Sequence, residues 1–342
     1  MAGSSAPSTA PASTAARAAW IDLCKGITIL LVMLLHASSW YGSKGGTVPA
    51  AMLAVSGFFA PVRMPTLIFL SGLLAAQGLR KGPAIFVRRR VAILLWPYLV
   101  WCVLWAFAAG TPERLAEPAW WLGGWYLWFM LFILIFSLVA ALVPGRLHLV
   151  AAIYAYLGAL ACEDGTKYGE RLLFFLAIFL IGGFLGRDRR EMEARLSAPV
   201  VLAALAPAVL GIACWSAAAP RPLRYSPHDA LPILVVVAGT LGASLMLSRK
   251  WPIAPLQAVG RNSLTIYLAH MPIIALTLAA LRRIGVTGFV PSFAASLVLA
   301  LSGSLALVAA RRRWRAIDLL FQWPVPGPDA RSAQVGGNVV EQ

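Results

Sequence analysis

The sequence predicts an all-α polytopic membrane protein of about ten transmembrane helices. Three observations predict it. Of the 342 residues, 60% are hydrophobic and only 12% charged. Mean hydropathy is +0.78, far from the usual soluble balance. Apolar stretches long enough to cross a hydrocarbon core of ~30 Å recur along almost the whole chain. They leave no segment for a separate soluble domain of ordinary size.

The expected organisation is a tail over 1–16, a transmembrane unit over 17–322 and a second tail over 323–342. The first tail is rich in Ala, Ser, Thr and Pro and has no basic region leading directly into an apolar core. It therefore reads as a disordered tail rather than a cleaved signal peptide. In the second, Pro324, Pro326 and Pro328 discourage a helix.

Windows of about 19 residues place the spans at 20–41, 62–79, 90–109, 120–143, 148–162, 170–186, 198–216, 229–247, 263–281 and 287–310. The first carries the apolar run Gly26 to Tyr41. Arg63 opens the second, and Arg88 to Arg90 open the third. The fourth ends before Arg146, the fifth is short, and the sixth stops at Arg187 and Arg189. Arg195 precedes the seventh. Arg249 and Lys250 follow the eighth, Arg261 precedes the ninth, and Arg311 to Arg313 close the tenth. Ala50 to Pro61 is an extra apolar piece, read as surface-lying or re-entrant and not counted as a span.

With the N-terminus as reference, twenty Lys and Arg fall on its side of this arrangement and nine on the other. Basic loops are retained on the cytoplasmic side, so both termini are expected there, in a multi-pass protein of the cell inner (plasma) membrane. The net charge of +16 is split into short clusters between apolar runs. It therefore points to topology and membrane lipids rather than to a nucleic-acid partner. Cys24, Cys102, Cys162 and Cys214 have no CxxC or metal-ligand spacing, so they read as packed thiols with no metal site.

Polar residues inside the first span carry the functional signal. Lys25 stands at its mouth, and His36, eleven residues on, is its only titratable group well inside. Eleven residues are three helical turns plus about 20°, so both side chains share a face about 16 Å apart along the axis. Asp22 comes within about 40° of the same line, extending a polar stripe into lipid-compatible sequence. Such groups are costly in a bilayer unless they face a cavity or a partner. Asp22 also stands at i,i+3 from Lys25, where it can fix the ammonium.

The run Asp22-Leu23-Cys24-Lys25-Gly26-Ile27, followed by apolar sequence to His36, resembles the opening helix of the membrane acyltransferase-3 family. Three further segments are similar to that family: Arg63-Met64-Pro65 running into Phe69-Leu70-Ser71-Gly72, Arg88-Arg89-Arg90 leading to Trp96-Pro97-Tyr98, and Gly260-Arg261-Asn262-Ser263 through Tyr267 to His270. Trp125-Tyr126-Leu127-Trp128-Phe129 and Phe174-Phe175 to Gly182-Gly183 resemble family segments more weakly. Lys25 stands where many members have Arg, which keeps the charge and loses the bidentate fork. Arg90 is followed by Val91, where a further basic residue often appears.

The resemblance implies a membrane-bound O-acyltransferase. It would move a short acyl group, expected to be acetyl, from acyl-CoA to a hydroxyl of a cell-surface polysaccharide or lipid-linked glycan. Acyl-CoA is then a co-substrate, and no bound cofactor is expected. His36 is the candidate base, taking the acceptor hydroxyl's proton, or alternatively an acyl carrier. Lys25 stands beside His36 as a catalytic candidate, able to hold an anionic part of the donor as a point charge, and Arg88, Arg89 and Arg90 are candidates for binding the donor's phosphates. Arg63, at the outer end of the second span, is the candidate for orienting the acceptor or stabilising an oxyanion. Asp22, Tyr267 and His270 are supporting candidates. Glu163, Asp164, Glu170 and Arg171, flanking the fifth and sixth spans, are placed to meet a glycan or simply form an exposed polar loop.

Two other classes compete. A transporter or flippase for a glycan, lipid or small metabolite would also bury charges in spans. However, no paired Gly/Pro-interrupted spans mark an inverted repeat. A non-catalytic scaffold would need the polar stripe only for structural partners and would tolerate a neutral isostere at His36.

Overall fold

The computed structural model describes residues 13–323 apart from 124, 163–167, 220–222, 224 and 252, with side chains from residue 19 onward. Most of the expected tails, residues 1–12 and 324–342, and the candidates Glu163 and Asp164 thus lie outside the described residues. The helices run α1 Ser13–Ser43, α2 Ala50–Phe58, α3 Arg63–Leu79, α4 Pro83–Arg90, α5 Trp96–Ala109, α6 Trp128–Leu142, α7 His148–Ala161 and α8 Glu170–Leu185. They continue as α9 Arg189–Leu196, α10 Pro199–Ala218, α11 Ala230–Lys250, α12 Ala254–Arg261, α13 Ser263–Arg283, α14 Phe289–Arg313 and α15 Arg315–Asp318. One π-helical turn, Val91–Leu95, joins α4 to α5.

Among the described residues, eight stretches are long and apolar enough to cross a membrane: Ala19–Ser43, Ala50–Leu79, Pro83–Ala109, Trp125–Leu142, Pro199–Ala218, Pro227–Lys250, Ser263–Arg283 and Phe289–Arg313. The chain is an all-α multi-pass membrane protein. The other two expected spans are α7 and α8, of 14 and 16 residues. At 1.5 Å per residue they measure about 21 and 24 Å, shorter than a ~30 Å hydrocarbon core. The extra piece at 50–61 is helical as α2 and leads through a turn into α3, so both form one apolar stretch. The third helix starts earlier than expected, at Pro83, because a proline in the first turn lacks only an N–H that would be unpaired there anyway. The fourth starts later, at Trp128. Before it, Pro112–Ala116, Pro118–Trp121 and Trp125–Leu127 form only 3₁₀ turns, and Gly123 holds φ +87°.

The core lies where α1, α3, α5, α6, α8 and α13 meet. Its large fully buried side chains are mostly aromatic, among them Trp105, Tyr126, Phe132, Phe136, Phe174, Phe175 and Phe179. α10 and α14 are peripheral, with only 11% and 17% of their apolar windows buried inside the protein. Cys24 and Cys102 are packed as expected. Cys214, on peripheral α10, is exposed.

Apolar burial does not drive helix association in lipid as it does in water, so close backbone approach matters more. Two crossings depend on glycine. A Cβ on Gly26 would fall inside the Leu256 carbonyl and one on Gly260 inside that of Asp22, so α1 and α12 touch backbone to backbone at Lys25. A Cβ on Gly72 would likewise meet the Phe179 carbonyl, and one on Gly182 that of Phe69, locking α3 to α8.

Candidate active site

α1 is one uninterrupted helix from Ser13 to Ser43. Lys25 and His36 are therefore separated by about 16 Å of rise with only about 20° of net rotation. Both are half-buried, and they organise two clusters at the two ends of the molecule.

At the His36 end, α13 supplies a second imidazole. The His36 and His270 rings lie 5.3 Å apart at 40°. His270 is fully buried, with Nδ1 3.1 Å from the Ile266 carbonyl oxygen. A carbonyl only accepts, so Nδ1 carries the proton, and in the neutral ring Nε2 is left as an acceptor. Tyr126 packs edge-on to both rings, at 6.5 Å from His36 and 5.7 Å from His270. Its hydroxyl donates to the Leu268 carbonyl at 2.7 Å, while the Tyr267 hydroxyl donates to the carbonyl of Tyr126. These crossed bonds tie the start of α6 to α13.

Arg63, at the start of α3, is 4% exposed and acts electrostatically on His36. Its Nη1 donates to the Ser56 carbonyl at 2.7 Å. Of the buried polar atoms without a hydrogen-bond partner among the described residues, three fall in this cluster: His36 Nδ1, His270 Nε2 and Arg63 Nε. Each such atom costs about 1–3 kcal/mol unless something meets it.

Trp125 borders the same cluster, 6.3 Å from the His36 ring and packed on Trp40 and Trp105 at 5.1 and 5.8 Å. It is the one non-glycine residue with positive φ among the described residues, at +45°. That conformation costs on the order of 1–3 kcal/mol and persists only where packing enforces it, as at ligand clamps.

At the Lys25 end, Asp22 carries an ion pair to Arg261 at 4.0 Å and feels the Lys25 charge, and Lys25 in turn is repelled by Arg90. Two cations, Lys25 and Arg261, therefore act on the Asp22 carboxylate, and a third, Arg90, acts on Lys25. Arg90 is half-buried and lies over the Phe86 ring at 5.1 Å. Arg88 and Arg89 are exposed and line separate grooves, Arg88 beside Trp96 and Trp323, Arg89 beside Gln77 and Lys81. The expected arginine triplet is thus divided by helical rotation, with only Arg90 turned toward Lys25.

The π turn that follows Arg90 is a wide turn, of the kind often found at functional sites. The segment after α14 is strapped across it. Trp96 and Trp101 Nε1 donate to the Leu319 and Leu320 carbonyls at 2.6 and 2.9 Å, and the Trp323 N–H donates to Ala92 at 3.3 Å. Arg311 anchors the strap through Asp318 at 2.8 Å and also donates to Thr265 on α13.

The structure brings Asp22 and Lys25 together with Arg90, and His36 together with Arg63 and His270. Tyr267 contributes a hydrogen bond between helices. Sequence reasoning missed Arg261 as a member of the Lys25 cluster. Its signal was Gly260, whose close approach to Asp22 carries the next residue to that carboxylate. Trp125 and Tyr126 were visible only as part of an aromatic run.

A family model described as an acyltransferase domain matches residues 18–309, covering α1 to α14 and both clusters. Comparison with curated proteins and with solved structures finds no match.

Proposed function

Since the chain belongs to the acyltransferase-3 family of membrane acyltransferases, we propose that it is an O-acyltransferase that moves an acetyl group from acetyl-CoA to a hydroxyl of a cell-surface glycan or its lipid-linked precursor. In this reading α7 and α8 complete ten spans, and both termini face the cytoplasm in the plasma membrane. The Lys25 end then meets the cytoplasmic donor, and the His36 end lies toward the outer face. The observation that carries the reading is that one rigid helix, α1, holds both His36, which meets His270 of α13 and Arg63 of α3, and Lys25 with Asp22, which meet Arg90 and Arg261.

The acceptor oxygen bonds to the thioester carbonyl carbon while its proton passes to the His36 imidazole. The carbon–sulfur bond then breaks, and the CoA thiolate leaves with a proton returned to it. Arg63 has its Nε uncommitted and faces His36 electrostatically, so it is suited to the negative charge that grows on the carbonyl oxygen. His270, its tautomer held by Ile266, is a positioning residue that keeps the His36 ring in one orientation. Arg90 and Arg261 offer planar forks to phosphate and Lys25 a point charge, and Asp22 holds them in register.

The test is transfer of radiolabelled acetyl from acetyl-CoA into an envelope glycan fraction by purified protein in lipid, wild type beside His36→Ala. Label entering glycan with wild type alone is the expected result. Full transfer by a folded His36→Ala protein would refute the assigned role.

A further inference from the structure

The apolar stretch Pro83–Ala109 is 27 residues long. At 1.5 Å per residue that is about 40 Å, more than a ~30 Å hydrocarbon core. Its first turns, which carry Arg88, therefore reach the level of the lipid headgroups. From there Arg88, Val91, Leu95 and Leu99 follow at intervals of three and four residues, so a cation and three apolar side chains share one stripe. All four line a groove of about 370 Å³, within the size range of small-molecule sites.

Two indoles, Trp96 and Trp323, form its walls, their rings meeting edge to face at 4.6 Å. Trp96 is fixed through its Nε1 bond to the Leu319 carbonyl and Trp323 through its backbone N–H on Ala92. Trp323 is 49% exposed and Leu99 39%, so the groove opens on the surface of the bundle. The family model ends at residue 309, so the Trp323 wall lies beyond it. Arg88 is the one charged side chain lining the groove among the described residues, and it has no hydrogen-bond or ion-pair partner among them. No Asp or Glu occurs anywhere from residue 23 to 112.

We propose that this groove holds one anionic phospholipid from the leaflet at the Lys25 end. Its phosphate takes the Arg88 guanidinium, whose planar fork matches two phosphate oxygens. One acyl chain lies along Val91, Leu95 and Leu99. Trp323 stands where the two meet, as amphipathic rings do at the headgroup level. Charge selects the occupant: a zwitterionic headgroup sets its own ammonium beside the phosphate, whereas an anionic one offers Arg88 an uncompensated charge. The segment 324–342 that follows Trp323 fits less well, since valine is its largest aliphatic residue. The inference is independent of the acyl-transfer reading, because Arg88 lies in a groove apart from the Lys25 cluster.

The experiment places the full chain in phosphatidylcholine nanodiscs with a trace of phosphatidylglycerol or, separately, of phosphatidylcholine, each carrying a diazirine in the same acyl chain. After irradiation, mass spectrometry measures the label on the peptide containing Val91 to Leu99. We expect about fivefold more label from phosphatidylglycerol, the effect of one basic group at an anionic headgroup. Arg88→Gln should bring the two yields together, whereas Arg89→Gln, in the separate groove, should preserve the difference. Leu99→Trp fills the groove and keeps the charge, so it should lower the phosphatidylglycerol yield about threefold or more. All three substituted side chains are exposed, and such changes leave folding intact. Equal yields in wild type, the result if bulk lipid merely wets this face or residues 324–342 fill it, would overturn the proposal. So would an unchanged yield in Leu99→Trp, or equal losses in Arg88→Gln and Arg89→Gln, which would assign the preference to the basic edge as a whole.

Discussion

The imidazole of His36, on the first helix, lies 5.3 Å from that of His270, on α13. The two helices are sequence-distant, and the contact is made between rings that each keep one buried nitrogen unpaired among the described residues. In a core whose largest fully buried side chains are mostly aromatic, two such nitrogens beside Arg63 are where polar chemistry is concentrated.

His36→Ala should lower acyl transfer by about 10²–10⁴-fold, the range of a lost general base. Donor KM should stay close to wild type, since the Lys25 cluster is about 16 Å away along the helix. Steady-state kinetics of purified protein in lipid measure both. A change confined to donor KM would contradict the assignment.

His270→Phe keeps a planar ring beside Tyr126 but removes the nitrogen pair. It should reduce kcat by about tenfold or more while leaving thermal stability near wild type. Unaltered kcat in this variant would mean that His270 only fills space.

Arg90→Ala and Arg261→Ala should each raise donor KM by about ten- to a hundredfold, as expected for a charge-assisted hydrogen bond of ~1.5–3 kcal/mol. Arg88→Ala, whose side chain is exposed in another groove, should have a much smaller effect. Equal losses at Arg88 and Arg90 would restore the arginine triplet as one site.

Gly260→Ala places a methyl group inside the Asp22 carbonyl and should destabilise the protein by about 1–3 kcal/mol through overpacking. Gly72→Ala should do the same at the α3–α8 crossing. Thermal unfolding of the detergent-solubilised protein checks both, and an unshifted midpoint would show that the helices separate freely.

Much of this was legible in the residues. Composition and apolar run length suffice for a polytopic helical protein, because lipid permits only helices or closed barrels. The eleven-residue spacing was enough to align Lys25 with His36, because helical rotation follows from counting. It was not enough to pair His36 with His270, since contacts between distant helices depend on packing that no local period encodes. The same limit hid Arg261. The division of Arg88 to Arg90 was missed for a different reason: three adjacent residues on a helix point in three directions, about 100° apart, and cannot form one site by adjacency alone. The count of ten spans rested on apolar character over 148–162 and 170–186, and the helices there proved short.

The uninterrupted α1 has a mechanical consequence. One unbroken rod carries Lys25 and, about 16 Å along it, His36, so in the proposed mechanism it acts as a gauge between phosphate and thioester that no side-chain rearrangement can reset. Its length suits a donor whose acyl group hangs on an extended arm. A truncated thioester lacking the nucleotide end would be unable to touch both ends of the gauge at once. It would react only as a dissolved reagent, losing the advantage of being tethered.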